Sequence, residues 1–339
     1  MTNHSSTWVD YQGKRIWQPP PKPNLWWVWL IVGLVVLVCA LLVIWLGDGE
    51  RENLYQGEGG DMPYVGVLYV EDTMTTSQAT ADLLSLSAGG YNHAYLLHAI
   101  DAMMEDPWNR GLLLYIDSPG GEVIAADELS RKVEEYKETT GRPVYAYGYT
   151  YAASGGYWLA STADAIYLHP YCLTGSIGVT MGSLLDISGL LERYGVEVYN
   201  LASGAQKNGT SGLTPTDPET IAIYQAILEE YYEDFLDWVL AHRSGFTYET
   251  LQPLADGRVY TARQAVANGL ADQVGDYEAA LTDLASACGS TCAVRTYRPE
   301  SVHRGLLDLF SLHSQETSLS ALLELAQPQG ILAYYRLGQ

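Results

Sequence analysis

From Leu25 to Leu46 the chain runs for 22 residues without a single charge. At about 1.5 Å of rise per residue, a helix of that length covers a hydrocarbon core of about 30 Å. Trp26, Trp27 and Trp29 at one end and Trp45 at the other suit the interfacial belts where indole rings settle. A cleaved leader is the alternative, but the run is long for one and is followed by Gly47-Asp48-Gly49-Glu50 rather than by a small-x-small cleavage site. A retained anchor is therefore expected. Lys14, Arg15 and Lys22 precede it, and Asp48, Glu50, Arg51 and Glu52 follow it. The positive-inside rule then puts the N-terminus in the cytoplasm, with a single pass through the cytoplasmic membrane and the rest of the chain outside. The expected organisation is a cytoplasmic segment at 1–24, the anchor at 25–46, an acidic and Gly-rich linker at 47–62, an extracytoplasmic folded domain at 63–299, and a tail at 300–339 with no assigned role.

Charge excludes one class of partner. With 18 basic and 40 acidic residues the chain carries a formal charge of −22, so phosphate backbones are repelled and nucleic acid is not an expected ligand. The acidity is spread without long blocks and serves solubility. Cysteine is scarce, at Cys39, Cys172, Cys288 and Cys292, and no zinc-binding spacing results. Cys288 and Cys292 are close enough to close a disulfide in an oxidising compartment; two thiols are equally compatible with the sequence.

Beyond the linker the apolar pattern alternates between strand and helix. Tyr64–Val70 reads as a strand, 94–104 as a helix with Leu96, Leu97, Ile100 and Met103 at helical spacing, and Gly111–Ile116 as a buried strand. Residues 122–138 read as a helix, Pro143–Tyr149 as a strand, Ser154–Thr162 as a short helix, and Ala165–Leu168 as a strand. Val196–Asn200 is expected as a further strand. A long helix is expected over Asp217–Ala241, with Ile221, Ile223, Ile227, Tyr231, Phe235 and Val239 on or near one face, and further helices at 262–270 and 277–287. This βαβ rhythm defines an α/β domain.

Two glycine-rich turns sit where chemistry is feasible. Asp117-Ser118-Pro119-Gly120-Gly121 joins a strand to a helix, and its glycines can expose backbone N–H groups to an oxyanion, although a plain tight turn has the same look. Ala152-Ala153-Ser154-Gly155-Gly156 also joins a strand to a helix. A serine there can act as a nucleophile, with Gly155 N–H available for the oxyanion, yet small residues also pack inert elements closely. A nucleophilic serine needs a base. Of the seven histidines, His4 precedes the anchor, His93 and His98 fall in the first helix, His242 ends the long one, and His303 and His313 lie in the tail. His169 beside Pro170 follows a strand and reads as structural. Lysine is rarer. Lys14 and Lys22 are cytoplasmic, Lys132 and Lys137 lie on a charged helix, and Lys207 stands alone in Ser203-Gly204-Ala205-Gln206-Lys207-Asn208-Gly209. A lysine can serve as a base where desolvation lowers its pKa from about 10.4 toward 7–8, as arginine cannot.

In their order and spacing, DSPGG, AASGGYWLA, TGSIGV and SGAQKNG resemble the signal peptide peptidase A family, also called the protease IV family. The likeness runs from about Tyr64 to Leu284 and includes GRVYTARQAVANGLADQVG. It implies a Clp protease/crotonase-like α/β fold of repeated ββα type, which the N-terminal transmembrane helix would tether. It further implies a serine peptidase with a Ser/Lys dyad, in which Ser154 is the nucleophile and Lys207 the general base. Gly120 or Gly121, with Gly155, would form the oxyanion hole, and Ser176 of TGSIGV would support the dyad. No metal or organic cofactor is implied. Homo-oligomeric rings are, with dyads that can draw on adjoining protomers, and the implied substrates are cleaved signal peptides and other apolar peptides at the outer membrane face. Two departures stand out. Asp117 replaces the family's usual Asn, and the stretch after Lys207 is short and rich in Gly and Ser where the family often carries an aromatic and acidic continuation. An inward Asp117 carboxylate would oppose an oxyanion, so it is expected to face away or to bind backbone N–H groups. Two rival readings are a non-catalytic membrane scaffold, which leaves the Ser154/Lys207 pair unexplained, and a crotonase-type acyl-CoA enzyme, which an extracytoplasmic location separates from its cofactor.

Overall fold

The computed structural model describes residues 8–9, 15–16, 62–76, 90–289, 291–299 and 332–334. In an N-terminal unit, β1 (Trp8–Val9) and β2 (Arg15–Ile16) pair antiparallel. The expected anchor at 25–46 lies outside the described residues, among which no helix is long and apolar enough to cross a membrane.

The second unit carries β3 (Tyr64–Glu71), α1 (His93–Glu105), β4 (Asn109–Ser118), β5 (Gly120–Glu122), α2 (Val123–Thr140), β6 (Val144–Ala153), α3 (Gly155–Ser161), β7 (Ala165–Leu168) and β8 (Leu173–Gly175). These are followed by α4 (Ser188–Arg193), α5 (Pro218–His242), α6 (Tyr248–Leu251), β9 (Val259–Thr261), α7 (Ala262–Ala267), β10 (Gln273–Val274), α8 (Tyr277–Ala287), β11 (Ala293–Tyr297) and β12 (Leu332–Tyr334). Among the described residues an eight-stranded sheet runs β10-β7-β6-β4-β3-β11, all pairs parallel, with β8 parallel to the far end of β6 and β9 antiparallel to β8. The α/β class expected from the sequence is thus the observed one.

Central parallel strands are covered on both faces, which is why Leu112, Leu113 and Leu114 are consecutive and all fully buried. One face carries the main core, where Leu68, Ile100, Leu129, Ala146 and Tyr157 meet under the helices. Strand alternation sends Tyr145 and Tyr147 to the other face, between Val144, Ala146 and Gly148. There Tyr69 stacks on Tyr115 with ring centroids 4.4 Å apart, and Tyr277 of α8 meets Tyr115 and Tyr147 edge-on at 6.0 and 5.9 Å. Helix starts follow their caps. Asn92 accepts from Tyr95 N–H, Asp217 from Glu219 N–H with Pro218 entering the first turn, and Asp276 from Ala279 N–H.

Two expectations need correction. Val196–Asn200 forms no strand; this stretch is largely exposed and has no neighbouring strand among the described residues to satisfy its N–H and C=O groups, so Lys207 does not follow a strand either. The long helix forms where expected; it buries Phe235, Leu236, Trp238 and Val239, while Ile221 and Ile223 of its first half are exposed among the described residues. The helix expected at 262–270 stops at Ala267, where Asn268 caps it and Gly269 turns the chain at φ 80°. β6 conversely extends past Tyr149 to Ala153.

Burial pushes the hydroxyls of Tyr147 and Tyr277 up to about 12, and likewise the Cys172 thiol. These groups keep their protons in the folded chain where the unfolded chain gives them up near pH 9–10. Stability is therefore unaffected below the unfolded values and falls as the pH rises toward about 12. The urea midpoint should be lower at about pH 11 than at about pH 8, and replacing Tyr147 and Tyr277 by Phe should reduce the difference.

Candidate active site

β6 delivers Ser154 to a sharp turn, where it adopts φ 52° and ψ −120° and is 1% exposed. A side-chain-bearing residue there is strained, and the surroundings hold it. Ser154 N–H donates to Gly175 C=O at 2.8 Å, and its own C=O accepts from Tyr157 and Trp158 N–H at 2.8 and 2.9 Å. Its Oγ is buried and has no hydrogen-bond partner among the described residues, a condition it shares with the Ser130 hydroxyl on α2; what sets Ser154 apart is the strained turn that holds it.

The glycines explain how the two loops meet. A Cβ on Gly156 would lie 2.8 Å from Ser118 C=O; one on Gly155 would lie 3.4 Å from both Gly120 Cα and Gly121 N. A Cβ on Gly121 would lie 2.0 Å from Met74 C=O, so no side chain fits, and Gly120 needs φ 94°. Gly120 N–H donates to Ser118 Oγ at 3.2 Å, and Ser118 Oγ–H donates to Asp72 C=O at 2.6 Å. The two turns singled out in the sequence are therefore one site.

Asp117 faces away from this site, as expected. One carboxylate oxygen accepts from Thr150 and Tyr151 N–H at 3.2 and 3.1 Å, and the other from Thr150 Oγ1 at 3.2 Å. The register between β4 and β6 shifts here, so the carboxylate satisfies N–H groups that the ladder has left behind. Ser176 follows Gly175 at φ 51°, is buried, and lines a cleft of about 460 Å³ with Val179, Leu228, Tyr232 and Gly257.

Lys207 is exposed, and among the described residues its ammonium has no hydrogen-bond or ion-pair partner. Lys132 pairs with Asp101 and Glu135, and Lys137 with Asp164. No described histidine is bonded to Ser154. His93 is bonded to Tyr91 and Glu128, His242 to Trp238 C=O and Glu134, and His169 accepts from Tyr171 N–H. The sequence reading missed Met74, Ser118 and Gly175, which hold the turns in place. A hint lay in the pairing of Gly-rich turns, each of which needs a neighbouring backbone to press against.

A parallel α/β sheet here sets a strained, buried serine at a strand–helix turn against a second, glycine-rich turn, an arrangement that serine hydrolases also use. The sequence profile described as Peptidase family S49 matches residues 136–290. A protein of Enterococcus faecium that bears the name signal peptide peptidase SppA is 30% identical over 281 residues, covering 76% of this chain and 79% of that one. A protease-named protein of Methanocaldococcus jannaschii is 37% identical over 190 residues, 56% of this chain and 60% of its own length. Protease 4 of Haemophilus influenzae is 31% identical over 218 residues, 64% of this chain and 34% of its own. The chain belongs to peptidase family S49, a family of serine peptidases.

The packing predicts two outcomes. Gly121→Ala should displace β5 and abolish peptide hydrolysis while circular dichroism shows the fold retained. Asp117→Ala should cost about 1–3 kcal/mol in urea unfolding. Asp117→Asn, whose amide oxygen can still accept both N–H groups, should stay within about 0.5 kcal/mol of the parent.

Proposed function

We propose that this chain is a membrane-anchored serine endopeptidase with a Ser154/Lys207 dyad, working on cleaved signal peptides and other apolar peptides at the outer face of the cytoplasmic membrane. The observation that carries the reading is the buried, partnerless Ser154 Oγ on its strained turn. The domain plan, with 25–46 as anchor, 63–299 as peptidase domain and a Clp protease/crotonase-like kinship, belongs to the same proposal. The cleft beside Ser176 is of mixed character: Val179, Leu228 and Tyr232 offer apolar contact, and Thr180, Gln225, Glu229 and Asp256 offer polar contact.

Lys207, neutral in the reacting state, takes the Ser154 proton, and Oγ attacks the peptide carbonyl. With Gly120 N–H engaged by Ser118, the N–H groups of Gly121 and Gly155 stabilise the tetrahedral oxyanion. The amine leaves with the proton, and water, deprotonated by Lys207, releases the acyl group. No metal or cofactor enters.

The base comes from a second copy of the chain. Ser154 Oγ lacks a partner among the described residues, Lys207 faces solvent, and the surrounding segment exposes Leu185, Leu190, Tyr194, Tyr199 and Leu201, the last 93% exposed. Such an apolar arm with no cover of its own suits burial between protomers of a ring.

Ser154→Ala and Lys207→Ala should each lower hydrolysis of an unfolded protein by about three orders of magnitude or more. Co-assembling the two inactive variants should restore part of the activity. Restoration supports the shared dyad; two dead variants that stay dead together place both residues in one chain, and two active variants defeat the dyad itself.

A further inference from the structure

We propose that Cys288 and Cys292 form a thiol–disulfide site that locks the end of α8 to the start of β11, with Cys292 as the thiol that meets the oxidant and Cys288 as the one that closes the bond. Cys288 caps α8, Gly289 reverses the chain at φ 67°, and Cys292 immediately precedes β11. The two sides of this corner are held by different contacts. Ala280 and Leu284 of α8 share a core cluster with Val65 and Val67 of β3 and Leu113 of β4, while Ala293 N–H donates to Pro63 C=O at 2.9 Å. Both thiols pack against that same cluster and are hydrogen-bonded to each other. The scaffold therefore brings the two sulfurs together before any bond forms. Among the described residues no third metal-ligating side chain joins them, which leaves covalent pairing as their chemistry.

The two thiols are not equivalent. Cys292 lines an open cleft of about 500 Å³ with Leu281, Ser286 and Val294. Cys288 points instead to β4: it donates to Arg110 C=O at 3.3 Å, and its sulfur lies 2.9 Å from where a Cβ on Gly111 would stand. Burial, and then the neighbouring Cys292, pushes the Cys288 thiol up to about 11. Because the thiolate is the nucleophile, attack starts at Cys292. With a low-molecular-weight disulfide RSSR as oxidant, the Cys292 thiolate attacks one sulfur, the S–S bond of RSSR breaks, and RS⁻ leaves. Cys288 then gives up its proton, attacks the Cys292 sulfur and releases the second RS⁻. Two protein thiols are oxidised, one RSSR is reduced to two RSH, and the two protons lost by the cysteines are the two gained by the departing thiolates.

This site lies at the opposite end of the sheet from Ser154. Gly111 stands near the start of β4 and Ser118 at its end, about 20 Å away at about 3.3 Å per residue. The bond is thus a lock on the sheet edge that β11 forms, separate from the hydrolytic site.

The purified full chain should be equilibrated with reduced and oxidised glutathione over ratios from fully reducing to fully oxidising, acid-quenched, unfolded, alkylated with N-ethylmaleimide and mapped by mass spectrometry. The peptide that spans both cysteines should lose both alkyl groups as the buffer becomes oxidising, while the buried Cys172 keeps its own. Cys288→Ser should trap glutathione on Cys292, and Cys292→Ser should leave about tenfold less adduct on Cys288 at the same ratio. The oxidised chain should melt roughly 3–8 °C above the reduced one, and neither variant should show the difference. Two alkylated thiols at every ratio overturn the site. Glutathione trapped on Cys288 rather than Cys292 overturns the order of attack, and a bond that leaves the melting midpoint unchanged overturns the lock.

Discussion

The close approach of two backbones governs this molecule. The turn after β4 and the turn after β6 press together so tightly that Gly121 has Met74 C=O where a Cβ would be, and Gly156 has Ser118 C=O. Contacts this close are made only by glycine, and they convert two loops into one rigid edge on which Ser154 is held at positive φ. The anchoring bonds are short and local: Ser154 N–H to Gly175, Ser118 Oγ–H to Asp72, Met74 to both ends of β5. If Ser154 is the nucleophile proposed above, its fixed place beside fixed N–H groups suits stabilisation of developing charge, because little reorganisation remains for the moment of reaction.

Around this rigid edge the chain is unevenly finished. The tyrosine face and the leucine-rich core are closed, and the described lysines on α2 are paired with carboxylates. The segment that carries Lys207 is not: it is exposed, apolar in many places and without a strand partner, and the first half of α5 shares this condition. Folding within one chain has fixed the turn of the proposed nucleophile and left the proposed base facing outward. A second copy supplies the missing cover in the reading proposed here.

Much of this was legible beforehand. The strands Tyr64–Glu71 and Ala165–Leu168 and the helices starting at His93 and Tyr277 follow from apolar periodicity and capping residues, which are local properties. The strand expected at Val196–Asn200 failed for a non-local reason: its composition favours extension, but a strand also needs a neighbour, and the described residues offer none there. The long helix itself formed where expected, but Ile221 and Ile223 are exposed, since periodicity tells which residues share a face and not whether anything lies opposite it.

The sequence by itself determined the α/β class, the two glycine turns, the candidate pair Ser154 and Lys207, and the apolar run at 25–46, because each rests on residue type and spacing along a few turns of chain. Tertiary structure alone decided that the two turns form one site, that Asp117 is spent on Thr150 and Tyr151, that Ser154 Oγ is left without a partner, and that β12 lies on β5. These are contacts between segments tens to hundreds of residues apart. Their geometry depends on which backbones can approach, and that is fixed only once the sheet has set every strand beside its neighbours.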